Sequence, residues 1–334
     1  MGDFMRFSPL TTKVEALSHD VRIKKLLTEL NDPGAAPLIR LHNEILSFCE
    51  TMALSGEDEA VRDGIVKEIE SICRALWGDK VQVHMFGSQA TGTANKFSDV
   101  DLTVLGCDCP ADDTTAALVA IADIIKERDL ASYLEIIPNA KVPIIKMDHK
   151  ATGISLDICC NEATGIEAAS LVSTFSKDYP PFKYLTMVLK CFLARRHLHD
   201  TYSGGIGSFV LAAMVISFIQ QRQRVHDTIT QQSWNLGSLL MDFFDLYGCT
   251  LNYNKVMLSL RDGGSYVKKP APGHNQPMAP VLSIESPMDP SAPSIGENSF
   301  MMPKIRRAFE QSLQVLTIKL AANEESASLL SSIL

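Results

Sequence analysis

Apolar positions along this chain follow two rhythms, and the change between them divides it. "LIRLHNEILSFCETM" and "VRDGIVKEIESICRALW" repeat apolar residues at intervals of three and four, which predicts two amphipathic helices, the first over 37–53. Between Val81 and Cys160 the period shortens to two. "VQVHMF" sets Val81, Val83 and Met85 against Gln82, His84 and Phe86, and "DVDLTV" sets Val100, Leu102 and Val104 against Asp99, Asp101 and Thr103. "ISLDICC" sets Ile154, Leu156 and Ile158 against Ser155, Asp157 and Cys159. Successive strand side chains point to opposite faces, so three strands with one apolar face each are predicted in 81–160.

Beyond Pro180 helix-length segments return: "FKYLTMVLKCFLARRHL", "SFVLAAMVISFIQQ" and "NLGSLLMDFFDLYG". The last carries Leu236, Leu239, Leu240, Phe243, Phe244 and Tyr247 as one stripe and reaches Gly248, expected as a C′ glycine. "KVMLSLRDGGSYVKK" reads as a short strand and turn, proline-rich 270–280 as a surface loop, and about 302–320 as a closing helix. Residues 1–36, which contain the turn-rich "NDPGAAP", read as an appended extension. The expected organisation is α/β plus α: a small α/β domain at 55–163, a mostly helical domain from 37–54 and 164–322, and a C-terminal tail at 323–334.

"FGSQATGTANKFSDVDLTVLG", Phe86 to Gly106, carries the candidate chemistry. Asp99 and Asp101 project from one strand face while Val100 and Leu102 enter the core. Two carboxylates a pleat apart suit Mg²⁺, which takes oxygen ligands and usually combines one or two carboxylates with substrate phosphates. Gly87-Ser88 leaves the preceding strand and opens a helix, a turn able to aim N–H groups and a hydroxyl at phosphate oxygens. Asp157 lies on the polar face of the third strand, where a neighbouring strand can bring it beside the pair. A DxD on its own commonly marks a solvated strand. The order strand, Gly-Ser, DhD strand (h apolar), then an apolar strand bearing one Asp is what points to a metal and triphosphate site.

Composition narrows the partners. The 334 residues are 46% hydrophobic, enough for two domains with cores. A net charge of −8, from 31 basic against 39 acidic residues, argues against a general electrostatic grip on nucleic acid. Only short basic clusters stand out: Arg195-Arg196, Lys268-Lys269 and Arg306-Arg307. "ARRHLH" at 194–199 reads equally as a cation-stabilised helix end or an RNA contact. Eight cysteines without a CxxC pair suggest neither a zinc module nor a secreted disulfide framework and fit a reducing compartment. The N-terminus shows no apolar h-region and carries Asp3, Glu15 and Asp20, which argues against a secretory signal, and the longest apolar run, Phe209 to Ile219, is too short to span a bilayer. His84 and His149 border the site in sequence, and strand packing accounts for both.

"GS…SDVDLTV…SLDI" resembles the signature of the polymerase-β-type nucleotidyltransferase superfamily. "YLTMVLKCFLARRHLHDTYSGGIGSFVL", "NLGSLLMDFFDLYG", "LNYNKVMLSLRDGGSY" and "LSIESPMDPSAPSIGENSF" narrow the resemblance to the non-canonical poly(A) polymerases and terminal uridylyltransferases, over about 37 to 320. It is most similar to the branch that assists the nuclear exosome in RNA surveillance. The resemblance implies a polymerase-β-like domain with a mixed sheet, joined to a helical nucleotide-recognition domain. It implies template-independent addition of nucleotides to RNA 3′ ends with two Mg²⁺ ions, or Mn²⁺. Asp99 and Asp101 would hold both metals, and Asp157 would complete the site and help activate the RNA 3′-hydroxyl. Gly87, Ser88, Lys190 and Ser208 would hold the triphosphate, with Gly204, Gly205 and Gly207 permitting close backbone approach. Phe209 would stack on the base, Asn161 and Thr164 would lie at the ribose, and Asp289 would sit in the base-recognition loop.

Two departures from the family pattern bear on specificity. "CNEATG" places Thr164 where relatives carry an asparagine, and Ser286 replaces an aspartate in "IESPMDP". Uridylyltransferases of the family often carry a histidine in this loop, and none occurs in 284–299, so the resemblance implies ATP, with UTP as the alternative. The resemblance implies RNA 3′ ends as substrate, a zinc-knuckle RNA-binding protein and a helicase as partners, and a nuclear location, with cytoplasmic and mitochondrial ones as alternatives. A small-molecule nucleotidyltransferase would share the Gly-Ser and DxD core but lack "GGIGS…FFDLYG…RDGGSY". An inactive scaffold would be favoured by loss of a carboxylate, and all three are present.

Overall fold

The structure, a computed structural model, describes residues 36–109, 113–140, 142–225, 234–269, 282–289, 291–322 and 328–334. The expected extension and the 270–280 loop therefore lie outside the described residues, apart from Ala36. The chain forms two compact units, one of Met52–Asp178 and one joining the residues up to Thr51 with Tyr179–Leu334.

Helix α1 (Pro37–Met52) belongs to the second unit, and the first begins with α2 (Gly56–Trp77). Ser55 starts α2 by a reciprocal cap: its Oγ accepts the Asp58 N–H at 3.1 Å while Asp58 Oδ2 accepts the Ser55 N–H at 2.8 Å. The unit continues as β1 (Gln82–Met85), α3 (Gly87–Ala90), β2 (Val100–Leu105), α4 (Thr115–Glu127), β3 (Ala131–Ile137), β4 (Ile144–His149), β5 (Ser155–Cys160) and α5 (Thr164–Asp178). The sheet runs β1-β2-β5-β4-β3, with β2 and β5 parallel and the other pairs antiparallel.

The alternation seen in β2 and β5 sends Val100, Leu102, Val104, Leu156 and Ile158 to one face, where they form a single core with Ile65, Ile69 and Ile72 of α2 and Leu118, Ile121 and Ile125 of α4. Burial of each such side chain contributes about 1.5–3 kcal/mol. The polar face is not wholly solvated as its pattern suggests: Thr103 is fully buried and its Oγ1 donates to the Glu162 carbonyl at 2.7 Å.

Four elements of this unit go beyond the segments expected from the sequence: β3, β4, α4 and α5. β3 is an edge strand with no fully buried residue, so its period is faint. β4 buries Ile145 and Met147, but its inward row ends in His149, which breaks the apolar pattern. The domain boundary also moves. Expected after 163, it falls after Asp178, because α5 packs on α3 and Gly165 lies so near the Phe86 ring that a Cβ there would stand 2.7 Å from it.

In the second unit, α6 (Pro181–Ala194), α7 (Ser208–Val225), α8 (Leu236–Asp245) and α9 (Met302–Ala322) accompany α1. Phe192, Phe243, Phe244 and Phe309 are fully buried against one another, with ring centroids 5.3–6.4 Å apart. Gly248 is not a C′ glycine. α8 ends at Asp245 and runs into a π turn over Leu246–Thr250, where a Cβ on Gly248 would stand 2.7 Å from the Glu310 nitrogen. The glycine is there so that the turn can lie against α9. The expected short strand and turn is a hairpin of β6 (Val256–Ser259) and β7 (Ser265–Lys268), to which Ile284 adds one parallel bridge at Leu258. Leu329, Leu330 and Ile333 of the expected tail are buried, and Glu44 of α1 accepts the N–H groups of Leu329 and Leu330. No helix among the described residues is long and apolar enough to cross a membrane.

Candidate active site

Register brings the acidic residues together. Asp101 of β2 and Asp157 of β5 are direct partners in the parallel pair, and Asp99 precedes β2 on the same face. One carboxylate oxygen from each lies within 4.8 Å of the others. Asp99 is exposed, while Asp101 and Asp157 are half-buried. Burial pushes the Asp157 carboxyl above its ordinary pKa; Lys146 opposes the shift and Asp99 adds to it.

Lys146 stands opposite Asp157 across the β4–β5 pair, its Nζ 3.9 Å from Oδ1. That is an ion pair by distance but too long for a hydrogen bond, so Oδ1 is buried without a hydrogen-bond partner. One lysine cannot neutralise three carboxylates. The set has the chemistry of a divalent-cation site: hard oxygen donors, like charges gathered on one face, and a buried oxygen with unused lone pairs.

Gly87 and Ser88 border this group. Gly87 has φ +64° and packs on Asp101, so a Cβ would stand 1.9 Å from Asp101 Oδ2. Only glycine leaves room for the carboxylate. Ser88 is buried and its Oγ has no hydrogen-bond partner, while its carbonyl accepts the Thr93 N–H at 3.0 Å and the Thr91 hydroxyl at 3.1 Å. An unsatisfied buried hydroxyl thus sits on a fastened backbone, next in sequence to the glycine that packs on Asp101.

Asn161, also in this unit, has φ +52° and its amide is engaged on both sides. Oδ1 accepts the Gly106 and Cys107 N–H groups at 3.0 and 3.2 Å, and Nδ2 donates to the Cys107 carbonyl and to Cys109 Sγ. The atoms expected at a ribose here fasten the loop after β2. Thr164 is exposed at the start of α5. The bordering histidines pack structurally: buried His149 bridges Thr152 and Glu68, and His84 meets Gln82.

The remaining candidates lie in the second unit. Lys190 is half-buried on α6, exposed Ser208 opens α7, and Phe209 beside it is half-buried. The glycines before Ser208 face the chain itself: a Cβ on Gly205 would stand 2.4 Å from the Leu198 carbonyl oxygen, so internal packing accounts for glycine there. Asp289 is exposed and accepts the Ser291 N–H and hydroxyl at 2.8 and 2.7 Å, bonds that hold its carboxyl below its ordinary pKa. Buried Ser286 accepts the Asp289 N–H at 3.3 Å, so both residues shape the loop.

The basic clusters prove half consumed. Arg196 lies 3.9 Å over the Phe192 ring and donates to the Phe192 and Ile333 carbonyls, Arg306 donates to the Gly248 carbonyl, and Lys269 is buried. Sequence reasoning missed Lys146 and Arg62. Cross-strand pairing marks the first, but pairing is not written locally, and Arg62 sits on an otherwise exposed-looking helix turn.

The family model for the central palm domain of mitochondrial-like poly(A) RNA polymerase matches residues 41–177, and that for Cid1 family poly A polymerase matches 235–292. The chain is 31% identical over 283 residues to the inactive non-canonical poly(A) RNA polymerase protein Trf4-2 of Drosophila melanogaster, covering 83% of this chain and 68% of that one. The chain belongs to the non-canonical poly(A) polymerase family.

Other members include poly(A) RNA polymerase cid14 of Schizosaccharomyces pombe, 31% identical over 84% of this chain and 41% of its own length. Poly(A) RNA polymerase protein 2 of Saccharomyces cerevisiae is 32% identical over 82% of this chain and 47% of its own. The chain thus spans less than half the length of these curated relatives. Among solved structures, the polymerase core of TRAMP, an RNA surveillance complex, superimposes with a TM-score of 0.78 at 29% identity, covering 88% of this chain and 93% of that one. A mitochondrial poly(A) polymerase in complex with ATPγS shares the fold, with a TM-score of 0.72 at 20% identity over 89% of this chain and 74% of that one. Membership alone does not carry activity, since one relative is inactive by name.

Proposed function

We propose that the chain is a template-independent RNA 3′-terminal nucleotidyltransferase that adds adenylates from ATP to RNA 3′ ends. The observation that carries this reading is the in-register pairing of Asp101 with Asp157, with Asp99 beside them. Asp99, Asp101 and Asp157 hold the divalent cations, Mg²⁺ or Mn²⁺. When bound, these supply charge neutralisation at the α-phosphate and a lowered pKa for the attacking hydroxyl. The RNA 3′-oxygen bonds to the α-phosphorus as the bond to pyrophosphate breaks.

The chain's own groups bind and orient. The Ser88 hydroxyl donates to a phosphate oxygen, and Gly87 keeps Asp101 in place. Lys190 and Ser208 act on the triphosphate, Phe209 stacks on the base, and the Asp289 loop reads its edge. Thr164 lies at the ribose, and Asn161 shapes the neighbouring loop. ATP is favoured over UTP because 284–299 lacks histidine. Surplus acid and half-consumed basic clusters favour a partner that holds the RNA, and the resemblance to the exosome-assisting branch makes that a zinc-knuckle RNA-binding protein, with a helicase; likeness to a surveillance-complex polymerase favours a nuclear location. The test is to incubate the purified chain, with and without candidate partners, with a labelled oligoribonucleotide, Mg²⁺ and each NTP separately. Extension by ATP is the expected result. Greater extension by UTP overturns the base choice, and extension by none overturns the activity.

A further inference from the structure

We propose that the turn Asn95–Ser98 displays Phe97 as a stacking platform for a base of single-stranded RNA beside the acidic trio. This deepens the reading above and rests on it. Phe97 is 83% exposed, yet the turn that carries it is braced from several sides. Asn95, itself buried, accepts the Phe97 N–H at 2.8 Å through Oδ1. Ser98 Oγ accepts the Asn95 N–H at 3.0 Å, the Ser98 N–H returns to the Asn95 carbonyl at 2.9 Å, and the Lys96 N–H reaches the Met52 carbonyl at 3.1 Å.

From beneath, Arg62 is only 2% exposed and donates from Nη2 to the Ser98 carbonyl at 2.6 Å, while its Nη1 has no hydrogen-bond partner. Burying a guanidinium with a donor unsatisfied is costly. The charges of Asp58 and Asp99 offset part of that cost, and the Nη2 bond holds the carbonyl of the residue between Phe97 and Asp99. The ring therefore stands in water on a fixed support and not on a loose loop.

Its surroundings favour RNA over protein. Lys96 before it is exposed, Ser98 after it is half-buried and polar, and Asp99 beyond carries an exposed carboxylate, so the ring's neighbours in the chain are charged or polar and not apolar. A protein-docking centre is a desolvated apolar patch, whereas an aromatic face beside a cation suits a base and its phosphate. Stacking needs only a π face, so the platform accepts any base, as an enzyme without a template requires.

The test compares the wild-type chain with Phe97→Ala, Phe97→Leu and Phe97→Tyr. Binding of a labelled single-stranded oligoadenylate is followed by fluorescence anisotropy at low salt, alongside KM for the oligonucleotide, KM for ATP, and Tm. Phe97→Ala and Phe97→Leu should weaken oligonucleotide binding and raise its KM by roughly tenfold, the order of one base–aromatic stack. Phe97→Tyr should retain wild-type values, and Tm and the KM for ATP should stay unchanged throughout. Unchanged RNA affinity in Phe97→Ala overturns the inference, as do equal losses in Phe97→Tyr or failure of the wild type to bind the oligonucleotide. RNA binding that depends on Phe97 without any nucleotide addition sinks the proposed activity while supporting the platform.

Discussion

The acidic face of the α/β unit and the aromatic core of the helical unit are built to opposite ends. Around Phe243 and Phe309 every ring has a ring for a neighbour, Tyr247 donates its hydroxyl to the Met214 carbonyl at 2.7 Å, and Tyr253 donates to the Tyr247 carbonyl at 2.6 Å. The helical unit buries polar atoms without hydrogen-bond partners too, among them Arg40 Nη2, Thr186 Oγ1 and Gln220 Oε1, but no group of three acidic side chains gathers there among the described residues. On the other unit three carboxylates converge, and Asp157 Oδ1 and Ser88 Oγ are buried without hydrogen-bond partners. The aromatic cluster is closed by its own packing. On the proposed function the acidic face would be completed by what it binds, so the same kind of truncation should have opposite consequences in the two.

The sharpest break is Asp101→Ala. Removing a carboxylate from a crowded acidic trio relieves repulsion, so Tm in the absence of metal should stay level or rise. Nucleotide addition should fall by at least about a thousandfold, given the several kcal/mol a metal contributes to charge stabilisation. An extension assay beside a thermal melt checks both halves. Phe309→Ala should do the reverse, costing about 3–5 kcal/mol of stability by opening a cavity among rings, while kcat per folded molecule stays near wild type. Urea denaturation reads the loss, and a cost below about 1 kcal/mol would show that the core collapses around the gap.

Gly87→Ala falls between these extremes. Its Cβ must displace the Asp101 carboxylate, so activity should drop by roughly 10- to 100-fold, with a stability cost of about 1–3 kcal/mol from the left-handed backbone. Ser88→Ala is milder. Removing an unsatisfied buried hydroxyl should leave Tm unchanged or slightly raised, and KM for ATP should rise about tenfold through loss of one hydrogen bond to a charged oxygen. An unchanged KM would remove Ser88 from the phosphate site.

The smallest effect tests the α2 cap. Hydrogen bonds from the Ser55 backbone and side chain hold the Asp58 carboxyl below its ordinary value of 3.8. A depressed acid stabilises the fold above its unfolded pKa, and that stability is lost as pH falls through the folded one. Ser55→Ala should therefore lower Tm slightly at neutral pH, and its gap from wild type should narrow as the pH is taken below about 3.8. Melts across an acid series measure the narrowing, and a constant gap would leave the Asp58 half of the cap without weight.

Much of this protein is legible from its own sequence. Alternation along β2 and β5 is a local property, so Asp99, Asp101 and Asp157 could be assigned to polar faces and Val100, Leu102 and Ile158 to the core before any packing was known. Helices with a clear apolar stripe were legible for the same reason. Only the tertiary structure decided that Asp101 faces Asp157 in register, that Lys146 stands opposite them, and that α5 joins the α/β unit. It also decided that Arg196, Arg306 and Lys269 are consumed internally, that Gly248 serves a helix contact, and that Asn161 fastens a loop. The physical reason is range. Period and capping act between residues a few positions apart, whereas strand register, the fate of a cation and the space beside a glycine depend on partners tens to hundreds of residues away.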